Sequence, residues 1–164
     1  MIHAERIAHA VIKVRDLEKS RKFYTEILGM DVMNHSPEIG ILFLANNRRD
    51  HHELALLQIG PQAETPPANS IGLLHIAFRL RNEAELRAAY KELKENQVPI
   101  AFTVNHGITK SVYFYDPDGH ELELYCDNSP EEYGKLANPY MGTEKLDFAR
   151  NEPGLMDVFA KMQH

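Results

Sequence analysis

The feature that most constrains this chain is an internal repeat. The stretch from His9, HAVIKVRDLEKSRKFYTEIL, aligns without gaps with the stretch from His75, HIAFRLRNEAELRAAYKELK, 66 residues further on. Five of the twenty positions are identical: His9 with His75, Arg15 with Arg81, Arg21 with Arg87, Tyr24 with Tyr90 and Glu26 with Glu92. The apolar pattern agrees as well. Self-similarity at a fixed offset is the signature of one supersecondary unit used twice, so it is read before anything else.

Each copy opens on an alternating strand. Ile7, His9, Val11 and Lys13 share one face, and Ala8, Ala10, Ile12 and Val14 the other. In the second copy Leu73, His75, Ala77 and Arg79 stand opposite Leu74, Ile76, Phe78 and Leu80. The wholly apolar face suits packing under a helix. Helix starts follow at Asp16 and at Asn82, the latter with Glu85 in capping-box spacing. Leu17, Tyr24, Ile27 and Leu28 form one apolar stripe, and Leu86, Ala89, Tyr90 and Leu93 the other. Gly29 is placed to stop the first helix.

Short strands come next: about Asp31–Ser36, Ile41–Ala45 and Glu53–Ile59, then Ile100–Val104, Ser111–Tyr115 and Glu121–Cys126. Asp116-Pro117-Asp118-Gly119 reads as a turn, and Gly60–Ser70, with Pro61, Pro66 and Pro67, as the link between copies. The expected fold is α+β: two βαβββ modules, about 5–60 and 71–127, pairing into a curved, partly closed mixed sheet. A C-terminal tail, 128–164, follows. It carries Gly134, Pro139 and Gly142, and one helix near Pro153–Met162 with Leu155, Val158, Phe159 and Met162 on one side. The tail is read as a packing or dimer element rather than a lid.

Composition narrows the function. There are 18 Lys and Arg against 24 Asp and Glu, a net charge of −6, which argues against nucleic acid. No apolar run spans a bilayer, and the N-terminal residues lack the apolar core of a secretory signal. The single Cys126 excludes an intrachain disulfide and suits the cytoplasm. Nine histidines are many for 164 residues and point to metal or proton chemistry.

Strand parity turns that hint into a site. His9 and His75 hold equivalent positions on the faces turned away from the helices. On the last strand Glu121, Glu123 and Tyr125 alternate with Leu122, Leu124 and Cys126, so Glu123 shares the histidines' face. Two imidazoles and one carboxylate with open positions make the facial triad of non-haem Fe(II), and Mn(II), Zn(II) or Ni(II) could use the same donors.

The chain resembles the vicinal oxygen chelate superfamily, built from paired βαβββ modules around a metal. The resemblance runs from about Ile7 to Asp127. It rests on H-x6-D-L-x-x-S-x-x-F-Y-x-x-x-L-G-M (His9 to Met30) and on Asp-Pro-Asp-Gly followed by His120-Glu121-Leu122-Glu123-Leu124. Within it the chain is most similar to the extradiol ring-cleavage dioxygenases. Their signature reads here as His106, five residues, Val112-Tyr113, Phe114-Tyr115, Asp116-Pro117-Asp118-Gly119 and Glu123, and His52-Glu53-Leu54-Ala55-Leu56 matches a second family segment.

The resemblance implies that His9, His75 and Glu123 hold Fe(II). It also implies that His52 moves protons, and that His106 and Tyr113 hydrogen-bond to substrate oxygens. The implied substrates are a small aromatic diol and O2, in a homodimer or higher homo-oligomer. A glyoxalase I-like alternative would add Glu53 to His9, His75 and Glu123 and isomerise a hemithioacetal with Ni(II) or Zn(II). Since His52 and Glu53 point to opposite faces of a regular strand, the one beside His9 selects the chemistry. A small-molecule-binding protein of the same fold, without turnover, is the third reading.

Overall fold

The computed structural model describes residues 1–46, 50–67, 69–133 and 142–162; Arg48, Arg49, Gly134, Pro139 and the side chain of Met162 lie outside them. The chain divides into two compact units, Met1–Ser70 and Ile71–His164. The first runs β1 (Ala10–Val14), α1 (Leu17–Lys22) with a following π turn (Phe23–Ile27), β2 (Asp31–Ser36), β3 (Ile41–Ala45) and β4 (Leu54–Gln58). The second runs β5 (His75–Arg79), α2 (Glu83–Glu95), β6 (Ile100–Asn105), β7 (Thr109–Tyr115) and β8 (Glu121–Asp127). Its tail adds α3 (Pro130–Tyr133), a 3-10 turn (Asp147–Ala149) and α4 (Leu155–Met162). This is the α+β fold of two βαβββ units.

Each unit holds an open four-stranded mixed sheet, in the order β1-β4-β3-β2 or β5-β8-β7-β6. The first strand pairs in parallel with the last, and the other pairings are antiparallel. β1 starts at Ala10, later than the alternation suggested. Ala10 N–H bonds to the Glu53 carbonyl at 3.1 Å, so His9 stands just before the strand and is exposed.

Local chemistry sets the helix ends. Asp16 Oδ1 accepts from Lys19 N at 3.0 Å, and Asn82 Oδ1 from Glu85 N at 3.0 Å. Each cap is worth about 1 kcal/mol. The Glu85 carboxylate reaches back to Arg81 N at 3.0 Å, one residue before the capping-box partner. α1 and its π turn stop at Gly29, whose φ of +66° lets Met30 N–H return to the Tyr24 carbonyl at 3.0 Å. α2 closes in a Schellman motif: Val98 N–H meets the Leu93 carbonyl at 2.9 Å and Gln97 N–H that of Lys94 at 3.1 Å. Gln97 takes the left-handed position at φ +56°.

The alternation decides what is buried. Ile12, Val14, Leu17, Tyr24, Leu42, Leu44, Leu54 and Leu56 are buried in the first unit. In the second, α2 packs on β7 and β8, with Leu86, Leu93, Val112, Phe114 and Leu122 buried. The tail borders β6 through an antiparallel bridge between Asn105 and Glu144 and a parallel one between Thr103 and Gly154. Among the described residues no helix is long and apolar enough to cross a membrane.

Candidate active site

In the second unit β8 divides by parity. Leu122, Leu124 and Cys126 are buried on the α2 side, which turns Glu121 and Glu123 the other way. Glu123 is paired with Tyr113 on β7 and with Ala77 on β5. His75 opens β5, and its Nε2 lies 3.2 Å from Glu123 Oε2. Its Nδ1 is buried without a hydrogen-bond partner, 3.9 Å from Glu121 Oε1. The Tyr113 ring meets His75 edge-on at 5.3 Å and stacks on Phe102 at 4.1 Å and 14°. Tyr113 Oη and His106 Nε2 are 3.3 Å apart.

Burial governs the protonation of this cluster. It raises the Tyr113 phenol well above the usual tyrosine range, and the Glu123 charge adds to the effect, so the group stays an O–H donor at neutral pH. Burial also pulls the His106 imidazole below its usual value, against the opposing pull of Glu123 and a hydrogen bond to the Gly142 backbone. The Glu121 carboxyl is raised, again chiefly by burial.

His75 and Glu123 fit a metal. Two donors at right angles, each about 2.1 Å from one ion, stand about 3.0 Å apart. The 3.2 Å between Nε2 and Oε2 matches that spacing. The same spacing serves a hydrogen bond, so the donor types, one imidazole and one carboxylate, carry the case.

The first unit gathers histidines. The His9 ring lies 4.3 Å from His52 and 5.9 Å from His51, centroid to centroid. His51 Nδ1 and His52 Nδ1 are 2.5 Å apart, and Phe43 covers His52 at 4.9 Å. Partial burial and the neighbouring His51 and His9 lower the His52 pKa. Glu53 Oε2 accepts from Asn46 N at 2.6 Å.

Strand register adds a comparison that parity alone did not give. β4 pairs Ala55 with Val11, as β8 pairs Glu123 with Ala77, its repeat equivalent. The first-unit position matched to Glu123 is therefore Ala55, which is fully buried, and Glu53 is matched to Glu121.

Of the expected ligands, His75 and Glu123 stand together, while His9 lies with His52 in the first unit. Among the described residues no group of three or more His, Cys, Asp or Glu side chains is placed to hold a metal ion. Of the expected catalytic groups, His106 and Tyr113 are in contact. The sequence reading passed over His51, Phe102 and Gly142. Only His51, next to His52, carried a signal in residue type; the other two become visible through cross-strand pairing and tail packing.

The model of the Glyoxalase/Bleomycin resistance protein/Dioxygenase superfamily matches residues 6–124. Biphenyl-2,3-diol 1,2-dioxygenase 3 of Rhodococcus globerulus is 35% identical over 133 residues, covering 77% of this chain and 67% of that protein. Metallothiol transferase FosB of Staphylococcus haemolyticus is 32% identical over 144 residues, covering 82% of this chain and 94% of FosB. A crystal structure of a glyoxalase/dioxygenase from Nostoc punctiforme shares the fold, with a TM-score of 0.65, 24% identity and coverage of 79% of this chain and 98% of that one.

Proposed function

This chain belongs to the Glyoxalase/Bleomycin resistance protein/Dioxygenase superfamily, and from that premise we propose that it is an extradiol dioxygenase acting on a catechol-like aromatic diol. The ligands in this reading are His9, His75 and Glu123, and the metal is Fe(II). His52 is the acid–base residue, and His106 and Tyr113 bind substrate oxygens. The observation that carries the reading is Ala55 at the position matched to Glu123. A four-ligand glyoxalase centre needs a carboxylate from each copy. The first copy offers none there, and Glu53 is engaged with the Asn46 backbone. Three ligands leave room for a bidentate diol and O2.

A metal held by His9, His75 and Glu123 would supply Lewis-acid activation of the diol hydroxyls and an electronic path between diol and O2. The residues do the rest. His52, with its pKa lowered, is a neutral imidazole at pH 7 and can take the hydroxyl proton, then return it. Tyr113, held protonated by burial and Glu123, donates to charge growing on the substrate oxygen. His106 fixes the phenol from its other side. The apolar walls around Tyr113 exclude water. The balance closes without a co-reactant: both atoms of O2 enter the product, and the diol supplies all four electrons as one ring carbon–carbon bond breaks.

The test is anaerobic loading with Fe(II), then a panel of catechols in air. A coloured ring-opened product with one O2 consumed per diol supports the reading. Turnover only of hemithioacetals with Ni(II) or Zn(II) would restore the glyoxalase alternative. Alignment over 94% of FosB makes metal-dependent thiol transfer the second reading. Loss of a small thiol onto an electrophile, with no catechol turnover, would select it.

A further inference from the structure

The segment following residue 124 lies beyond the family match, yet its described residues reach the His106–Tyr113 pair. Gly142 N–H donates to the His106 carbonyl at 2.9 Å, directly behind the ring that meets Tyr113 Oη at 3.3 Å. One step along, Asn105 N–H donates to the Glu144 carbonyl at 2.7 Å. There is no room for a side chain at 142. A Cβ there would lie 2.4 Å from Asn105 O, 2.6 Å from His106 C and 2.8 Å from Gly107 N. All three are backbone atoms, so no rotamer change relieves the contact.

The rest of the tail is anchored independently. Arg87 pairs with Asp147 at 2.8 Å and lies over the Phe148 ring at 4.4 Å. Glu152 takes Tyr90 Oη at 2.9 Å and Lys94 Nζ at 2.8 Å. Thr103 N–H donates to the Pro153 carbonyl at 2.9 Å, and Leu155 and Val158 pack on Phe102, Val104 and Tyr113. The strap is thus fixed at α2 and β6, and Gly142 is where it meets the His106 loop.

We infer that Gly142 is a positioning residue: through its contact with the Asn105–Gly107 backbone it seats the His106 ring against Tyr113. This rests on the proposed role of His106, and the test separates the two. The variant is Gly142→Ala in the full chain. In metal-free protein with labelled histidine, the His106 ring resonance shifts while those of His9 and His52 stay. The Asn105 amide exchanges faster with solvent.

In Fe(II)-loaded protein kcat on a catechol falls by about tenfold to 100-fold, the scale of a misplacement near 1 Å. In a His106→Ala background the same change adds less than about twofold, because the contact acts through that ring. An unmoved His106 resonance and unchanged kcat, with only a lower unfolding midpoint, would reduce Gly142 to a structural residue. Should Gly142→Ala not fold, Asn128→Ala loosens the same loop from its other side. Its Nδ2 donates to Asn105 Oδ1 at 3.0 Å and to the Gly107 carbonyl at 2.7 Å. An unmoved His106 resonance there overturns the inference. If the wild-type protein turns over no catechol, the dioxygenase reading fails, while resonance and exchange still decide the role of Gly142.

Discussion

Tyr113→Phe separates catalysis from stability more cleanly than any other single change. The substitution removes one oxygen and keeps the ring stacked on Phe102 at 4.1 Å. The lost O–H meets His106 Nε2 at 3.3 Å and lies in the field of Glu123, whose side chain is buried. Losing that one hydrogen bond costs about 0.5–1.5 kcal/mol. For a chain of this size that is a fall in Tm of roughly 1–6 °C. Against a stability of about 5–15 kcal/mol, almost all molecules remain folded at 25 °C. Activity should respond differently. If the phenol donates to charge that develops only in the transition state, kcat falls by about 10²–10³, or about 2.7–4 kcal/mol. Because the wild-type phenol stays protonated, the wild-type pH profile has no limb from it. The assay is initial rate of ring-opened product at saturating diol, with thermal unfolding in parallel. Unchanged kcat in a folded variant refutes the donor role.

His52→Phe should lower catechol turnover by about 10²–10⁴ while bound metal, read by atomic absorption, stays constant; lost metal would make His52 a ligand instead. Gln97→Gly should stabilise the chain by roughly 0.5–1 kcal/mol in urea unfolding, since left-handed backbone costs a non-glycine residue about 1–2 kcal/mol and glycine's looser unfolded chain takes part of that back. A lower midpoint would show that the Gln97 side chain has a role of its own. The Glu83 carboxyl is held below its usual value by a hydrogen bond from Lys110, Glu132 chiefly by one from Ser129 and Asp147 by one from Arg87. Their folded pKa values lie below the unfolded ones. The stability they give is therefore complete above the unfolded values of 4.5 for Glu83 and Glu132 and 3.8 for Asp147, and is lost as pH falls through the folded ones. Urea midpoints should drop as pH falls below about 4.5, and less so in Lys110→Met; identical curves for the two proteins would exclude this network.

The two units were legible because alternation and helix caps are local signals. Ile12 and Val14, or Leu122 and Leu124, cannot be turned outward without exposing a whole strand face. Asp16 and Asn82 cap in place for the same local reason. Parity placed His75 and Glu123 on one face, and the two meet. The rest depends on register. Whether Glu53 or Ala55 corresponds to Glu123 is a two-residue difference along β4, and only the pairing with β1 fixes it. The tail contacts were opaque for another reason: Gly142 has no side chain, and its information lies in which backbone approaches it.

Register also explains why the copies differ as a set. Glu123 lies opposite Tyr113, and its counterpart Ala55 lies opposite Phe43. Tyrosine and phenylalanine differ by one hydroxyl, which in Tyr113 meets His106. In the second unit the buried carboxylate has the His75 imidazole at 3.2 Å and Tyr113 as its strand partner. In the first, a carboxylate at 55 would be paired with Phe43 on one side and Val11 on the other. Neither strand neighbour can donate a hydrogen bond, so a carboxylate at 55 would draw no compensation from them. The same Phe43 ring covers His52. It contributes to the burial that lowers that imidazole's pKa and favours its neutral form. One repeated scaffold thus carries a buried carboxylate beside an imidazole in one unit and an imidazole of lowered pKa under an aromatic ring in the other.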